Sequence, residues 1–225
     1  MSRLKSGLIV SCQAEGDSPF NEPQFIAAFA RAADLGGAVG VRVRDAENVR
    51  AVADVTDLPI IGLTKGEYAS GRVLITPVID DVRALVDSGA DIIAVDATSR
   101  QRPNGMSGIE FLRLVKSLVA CPVVADISNA DEGLAAAEEG ADFVATTLSG
   151  YVESSVGPKF EADYELIVEI SRRIKKPVIA EGRIWSPEQA KKAFASGAYA
   201  VCVGSAITRP VDIVRRFVDA LPGTD

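Results

Sequence analysis

The chain has 225 residues, 48% hydrophobic and only 6% aromatic, which suits one domain with a core of Ala, Val, Ile and Leu. Its 24 Lys and Arg against 31 Asp and Glu leave a net charge of −7, arguing against non-specific nucleic-acid binding and against an anionic membrane surface. It contains no histidine, which excludes Ser–His and Cys–His nucleophile systems, the usual zinc sites and the commonest general base.

Short β-branched runs alternate with longer helix-like stretches, the pattern of repeated βα units. The first run, 7–12, ends at Cys12 and is followed by Gln13. The N-terminus MSRLKSGLIVSC has too short an apolar run for a signal peptide, and no segment approaches ~18 apolar residues, so the expected location is cytoplasmic. A helix over 22–35 leads through DLGGAVG into a second strand, 38–43, which carries Arg42. A helix over 46–55 precedes the third strand, 58–63, with Lys65 just beyond it. The run 72–76 is also strand-like, but no helix precedes it, so it is placed in the third loop. A helix over 78–88 and the phrase DSGADII lead to the fourth strand, 91–95, and then Asp96. Next come a helix over 108–119 and a fifth strand, 122–126, ending on Asp126. A helix over 129–139 and EEGADFV give the sixth strand, 142–146, with Thr146 and Thr147 at its end. The helix 164–174 precedes strand 177–180 and Glu181; the helix 187–196 and ASGAYAV precede strand 199–203, Gly204 and Ser205. A helix over 207–220 completes the pattern.

Eight strands and eight helices in alternation predict a single closed (β/α)8 barrel spanning 1–225. Several helices end in a recurring small-residue phrase that places Gly where a left-handed residue is wanted. In such a barrel functional side chains project from the C-terminal strand ends, and nearly all eight ends here are polar. Strand n faces strand n+4, so Lys65 faces Glu181 and Gln13 faces Asp126 across the axis. Two proton-transfer groups on opposite sides of a ligand are what inversion of a carbon centre requires. To act as a base Lys65 must be neutral, and Arg42 together with desolvation is expected to lower its pKa. Bland alternatives are a solvated Lys65 and a Glu181 that merely pairs with Arg42 or Lys65. The loops with Gly182–Arg183 and Gly204–Ser205, plus Arg209, suit a phosphate, because Gly admits close backbone approach and Arg adds bidentate contacts.

Other candidates are weaker. Asp45, Asp57, Asp80, Asp81 and Asp131 read as helix caps, and Trp185 as a cover for apolar surface. Tyr151 could line the mouth. Cys12, Cys121 and Cys202 read as buried thiols in a reducing compartment, and Cys12 in particular as structural rather than nucleophilic. Asp96 and Asp126 could in principle hold a divalent ion, but without a tight carboxylate cluster no metal is expected. There is no dinucleotide fingerprint and no expected cofactor.

The segments GLIVSCQA, GGAVGVR, PIIGLTK, ITP, DATSRQRP, ADIS, TTLSGY, VIAEGRI and GSAITRP, in this order from residue 7 to residue 210, resemble the N-acetylmannosamine-6-phosphate 2-epimerase family of bacterial sialic-acid breakdown. The resemblance implies conversion of N-acetylmannosamine 6-phosphate to N-acetylglucosamine 6-phosphate, with Lys65 and Glu181 as the catalytic pair. It also implies that Gln13, Arg42 and Asp126 hold the sugar, and that the loops near Gly182 and Gly204, with Arg209, hold the phosphate; Thr147, Arg183 and Ser205 join them as substrate contacts. TKGEY at 64–68 is where the chain departs from its relatives. Two rivals stand beside this reading: a Schiff-base sugar-phosphate aldolase using Lys65, and a non-catalytic phosphosugar-binding barrel. The expected partner is a small phosphorylated amino sugar, and a homodimer through the apolar helix segment 25–33 is a further expectation.

Overall fold

The structure is a computed structural model that describes residues 3–67, 73–152 and 160–223. In chain order, β1 (Gly7–Cys12), α1 (Pro23–Leu35), β2 (Gly40–Arg44), α2 (Ala46–Ala53) and β3 (Ile60–Leu63) form the first units. An antiparallel hairpin follows, β4 (Lys65–Glu67) with β5 (Val73–Ile75), outside the main sheet. Then come α3 (Ile79–Asp87), β6 (Ile92–Asp96), α4 (Gly108–Leu118), β7 (Val123–Asp126), α5 (Ala130–Glu138) and β8 (Phe143–Ala145). The chain continues through α6 (Tyr164–Arg173), β9 (Val178–Glu181), α7 (Pro187–Ala195), β10 (Ala200–Val203), α8 (Ser205–Thr208) and α9 (Pro210–Ala220).

Eight of the strands run parallel and close in the order β1-β2-β3-β6-β7-β8-β9-β10, with Gly7 of β1 opposite Ala200 of β10. This is the expected (β/α)8 barrel. The run at 72–76 lies in the third loop as expected, as β5 of the hairpin, while Arg72 and also Tyr68 fall outside the described residues.

The strands read as nearly unbroken apolar runs because both of their faces are covered. Alternation sorts them: Ile9, Ile61, Ile92, Val124, Ile179 and Ala200 fill the barrel interior, whereas Val10, Val41, Ile93, Val144 and Val201 pack under the helices. The helix ends follow the predicted logic. Gly37, Gly89, Gly140 and Gly197 have φ of 84, 98, 91 and 104, so each reverses the chain in the left-handed region just before the next strand. Asp45 stands at the N-cap of α2 without a capping bond and instead accepts from Arg44 Nε at 2.8 Å.

One expectation is corrected. The predicted helix 207–220 is broken: Pro210 cannot continue a helix and pushes Arg209 out of helical geometry, so α8 ends and α9 begins there. The break turns Arg209 toward the barrel mouth. Along α1, Ile26, Ala27, Ala30 and Ala33 are buried against the barrel while Phe25 stays exposed. Further exposed apolar side chains gather on α9, at Val214, Phe217, Val218 and Leu221 just beyond its end. Among the described residues no helix is long and apolar enough to cross a membrane.

Candidate active site

The C-terminal ends of the strands surround a cavity of about 370 Å³. The same alternation that puts Ile9 in the barrel interior carries Ser11, Gln13 and Glu15 to this cavity, and the parity of Ile179 and Ala200 carries Glu181 and Cys202 there. Lys65, at the start of β4, lines it from the side opposite Glu181, because β3 and β9 lie four places apart around the ring. The amine and the carboxylate expected to work together therefore open into one space.

Arg42 forms the floor. It projects from β2 toward the opposite wall and is almost fully buried. Its two terminal nitrogens donate to the two oxygens of Asp126 at 2.9 and 2.8 Å, and Nη1 also lies 3.1 Å from Glu181 Oε2. Burial alone would disfavour the guanidinium charge, but the Asp126 and Glu181 carboxylates outweigh it and hold Arg42 charged. Asp126 sits one layer deeper than the cavity wall: its oxygens are taken by Arg42 and by the hydroxyl of Thr147, so it reaches the cavity through those two side chains.

Glu181 is held differently. Its burial, with 13% of the side chain exposed, raises its pKa, and the nearby Asp126 charge adds to the rise, while Arg42, the Cys202 thiol and Lys65 oppose it. The result is a carboxyl group whose pKa is moved up toward neutrality, the direction a proton donor needs. The bland alternative of an Arg42 partner is realised too, so Glu181 combines the ion pair with a place in the cavity.

Lys65 is not a solvated lysine. Burial lowers its pKa, and Arg209 and Arg44 lower it further, while its contact with Glu15 works the other way. The expected cationic neighbour, Arg42, is replaced in that role by Arg209 and Arg44, because Arg42 is turned to the far wall by Asp126 and Glu181.

The phosphate candidates gather on the remaining side. Gly182, Arg183, Gly204, Ser205 and Arg209 all line the cavity, as do Gln13 and Thr147. Gly182 has φ +108, and Gly204 packs so closely that an added Cβ would lie 3.3 Å from the Ser11 Cβ. Arg183, itself at φ 55, lies over the Tyr151 ring at 4.7 Å and donates to the Glu161 carbonyl at 2.9 Å. Gln13 donates to Ser11 Oγ at 2.8 Å, and its Oε1 is buried without a partner among the described residues. Tyr151 and Trp185 also border the mouth, with the Arg216 guanidinium 4.1 Å from the Trp185 ring.

Asp96 and Asp126 do not form a metal pair. Asp96 accepts from the Thr98 amide at 3.0 Å and hydroxyl at 2.6 Å and from Arg100, as Asp126 is filled by its own donors. Of the thiols, Cys12 and Cys202 are buried and Cys121 is only half-buried. The Cys12 thiol, pushed up to about 12 by burial, is inert. Several cavity residues escape a reading based on strand ends alone, among them Ser11, Glu15, Arg100 and Cys202. Counting every second residue along β1 and β10 from Ile9 and Ala200 reaches Ser11 and Cys202, whereas Glu15 lies three residues past the end of β1 and Arg100 in the loop after β6.

A closed parallel barrel whose one mouth gathers an amine, a buried carboxyl and several arginines defines a (β/α)8-barrel enzyme. Residues 26–222 match the family model described as "Putative N-acetylmannosamine-6-phosphate epimerase". The chain is 46% identical over 220 residues to a protein of Caldanaerobacter subterraneus subsp. tengcongensis, covering 97% of this chain and 92% of that one. It is 45% identical over 219 residues to one from Yersinia pseudotuberculosis serotype O:3, covering 97% and 91%. Both relatives bear the name "Putative N-acetylmannosamine-6-phosphate 2-epimerase". Among solved structures, the N-acetylmannosamine-6-phosphate 2-epimerase of Clostridium perfringens superposes with a TM-score of 0.91 at 41% identity, covering 97% of this chain and 95% of that one. The chain belongs to the N-acetylmannosamine-6-phosphate epimerase family.

Proposed function

We propose that this protein interconverts N-acetylmannosamine 6-phosphate and N-acetylglucosamine 6-phosphate by moving the proton on C2 of the open-chain sugar from one face to the other. The observation that carries the reading is that Lys65 and Glu181 line one cavity from opposite walls in a member of this family. The C2 proton lies beside an aldehyde carbonyl, so its removal gives an enol that can be reprotonated on either face. Lys65, with a lowered pKa, and Glu181, with a raised one, are displaced toward each other in acidity, the direction that favours proton exchange between such groups and a substrate. In this reading Arg42 orients the sugar's polar groups from the floor and is itself fixed by Asp126 and Thr147, with Gln13 contributing its unpartnered Oε1. The loops at Gly182–Arg183 and Gly204–Ser205, with Arg209, hold the phosphate. The residues act as one catalytic domain over 1–225, and the chain needs no cofactor for this chemistry. Association into a homodimer is part of the reading, and the exposed apolar side of α9 supports it.

The test is incubation with N-acetylmannosamine 6-phosphate in D2O followed by NMR. Epimerisation predicts the N-acetylglucosamine epimer with deuterium at C2; absence of both product and exchange would remove the function. Lys65→Ala and Glu181→Gln are each expected to slow turnover by about 10²–10⁴-fold while leaving phosphosugar binding measurable. Wild-type turnover of the aldol-cleavage kind, trapped on Lys65 by borohydride, would point to the Schiff-base alternative instead.

A further inference from the structure

Among the described residues, Glu15 is the one acidic group in the cavity that neither the sugar chemistry nor the barrel floor uses. It follows β1 by three residues, on the same parity as Ser11 and Gln13, and its side chain keeps 36% of its surface exposed. One of its oxygens, Oε1, contacts the Lys65 amine and also lies 3.2 Å from Arg209 Nη2. A single carboxylate oxygen thus joins two cations that the proposed reaction assigns to separate tasks, the amine to C2 and the arginine to the phosphate. Arg209 has capacity in reserve, since its Nε is buried with no partner among the described residues.

We propose that Glu15 is a resident counter-anion that the substrate's phosphate displaces from Arg209, so that binding of the phosphate releases the Lys65 amine for C2. The inference rests on the function proposed above. A phosphate dianion carries more charge and more acceptor oxygens than a carboxylate and suits an arginine fork better, so it wins the competition for Arg209. It sits on C6, whereas Lys65 must reach C2; the incoming anion therefore takes Glu15's place on Arg209 but not on Lys65. Exposure on one side gives the Glu15 side chain somewhere to turn. Once it turns away, the charged and titratable groups left facing Lys65 among the described residues are Arg209 beside α8, Arg44 at the end of β2 and Glu181 on β9. With Arg209 now paired to the phosphate, burial and Arg44 are what favour the neutral amine, and the ammonium proton leaves to solvent water. A sugar without phosphate leaves Glu15 in place and Lys65 charged, which makes Glu15 a positioning residue that selects phosphorylated substrates.

Glu15→Gln keeps the shape and removes the charge. Lys65 acts as a base only when neutral, so kcat/KM rises as pH climbs through its pKa. Removing the Glu15 charge lowers that pKa, and the rising limb should move about one pH unit or more toward acid. Inorganic phosphate should inhibit Glu15→Gln several-fold more tightly than wild type. The preference for N-acetylmannosamine 6-phosphate over N-acetylmannosamine should narrow by about tenfold, the equivalent of one pKa unit. Glu15→Asp, which keeps the charge, should hold the limb near its wild-type position. A rising limb that Glu15→Gln leaves in place overturns the inference whatever phosphate inhibition does, and so does complete loss of turnover, which would put Glu15 in the chemistry itself. Wild-type enzyme that fails to epimerise the phosphorylated sugar is a different result, and it removes the proposed function instead.

Discussion

Arg42 keeps its charge with only 2% of its side chain exposed, and it does so because Asp126 meets it with both oxygens and Glu181 lies beside it. Desolvating a guanidinium costs several kcal/mol, and paired geometry is what offsets it. Arg42→Met leaves Asp126 buried and unpaired, so it should lower stability by about 3–5 kcal/mol, read as a fall in the thermal or urea midpoint. Adding Asp126→Asn to that variant should restore part of the loss, since the stranded charge is gone. A single variant as stable as wild type would mean that the pair does not hold the barrel floor. The same residue also shows the reach of sequence reasoning. Arg42, at an inward position of an apolar strand, is conspicuous as a charge, and the alternation predicts which wall it leaves. Which of several cations stands beside Lys65 depends on the break at Pro210 and on the turn of β4, and neither is written in the periodicity. Hence Arg42 was the expected neighbour, and Arg209 and Arg44 are the actual ones.

At the scale of elements, the repeated turn from helix to strand is the best-marked feature of the chain. Gly37, Gly89, Gly140 and Gly197 each take a positive φ that a residue with a Cβ adopts only at a cost. At Gly140 an added Cβ would meet nothing nearer than Lys116 Cε at 3.9 Å, so the penalty there is conformational rather than steric. Gly140→Ala should therefore destabilise by about 1–2 kcal/mol, whereas Gly197→Ala, where Ser171 Oγ would lie 2.5 Å away, should cost more. Equal midpoints for the two variants, measured side by side, would contradict this account. Such turns make four of the βα units especially legible, because each of these combines a glycine, a following apolar run and a helix of the right length. The loops beyond the strand ends are less so. A hairpin in the third loop shows as an extra β-branched run, yet its pairing of Lys65 with Ile75 and Glu67 with Val73 follows from the tertiary path. Residues 207 and 208 likewise read as continuous with the last helix until Pro210 is given its full weight, and 205–206 read as loop.

For the whole molecule, α9 is the helix whose residues are all at least partly exposed, and Val214, Phe217, Val218 and Leu221 present an apolar side to the surroundings. Spacing of three and four puts them along one stripe, the arrangement expected of a helix that meets another surface. Sedimentation of wild type should accordingly show a dimer, with Phe217→Asp shifting it toward monomer; a wild type that stays monomeric across concentrations would refute the association. The barrel itself is joined by its most distant strands, Gly7 of β1 lying opposite Ala200 of β10. During synthesis on the ribosome, then, the first strand waits for nearly every later codon to be translated before its final neighbour emerges. Until that moment Gln13 and Arg209 belong to opposite ends of an open ribbon, and a nascent or prematurely stopped chain has no chamber in which to work.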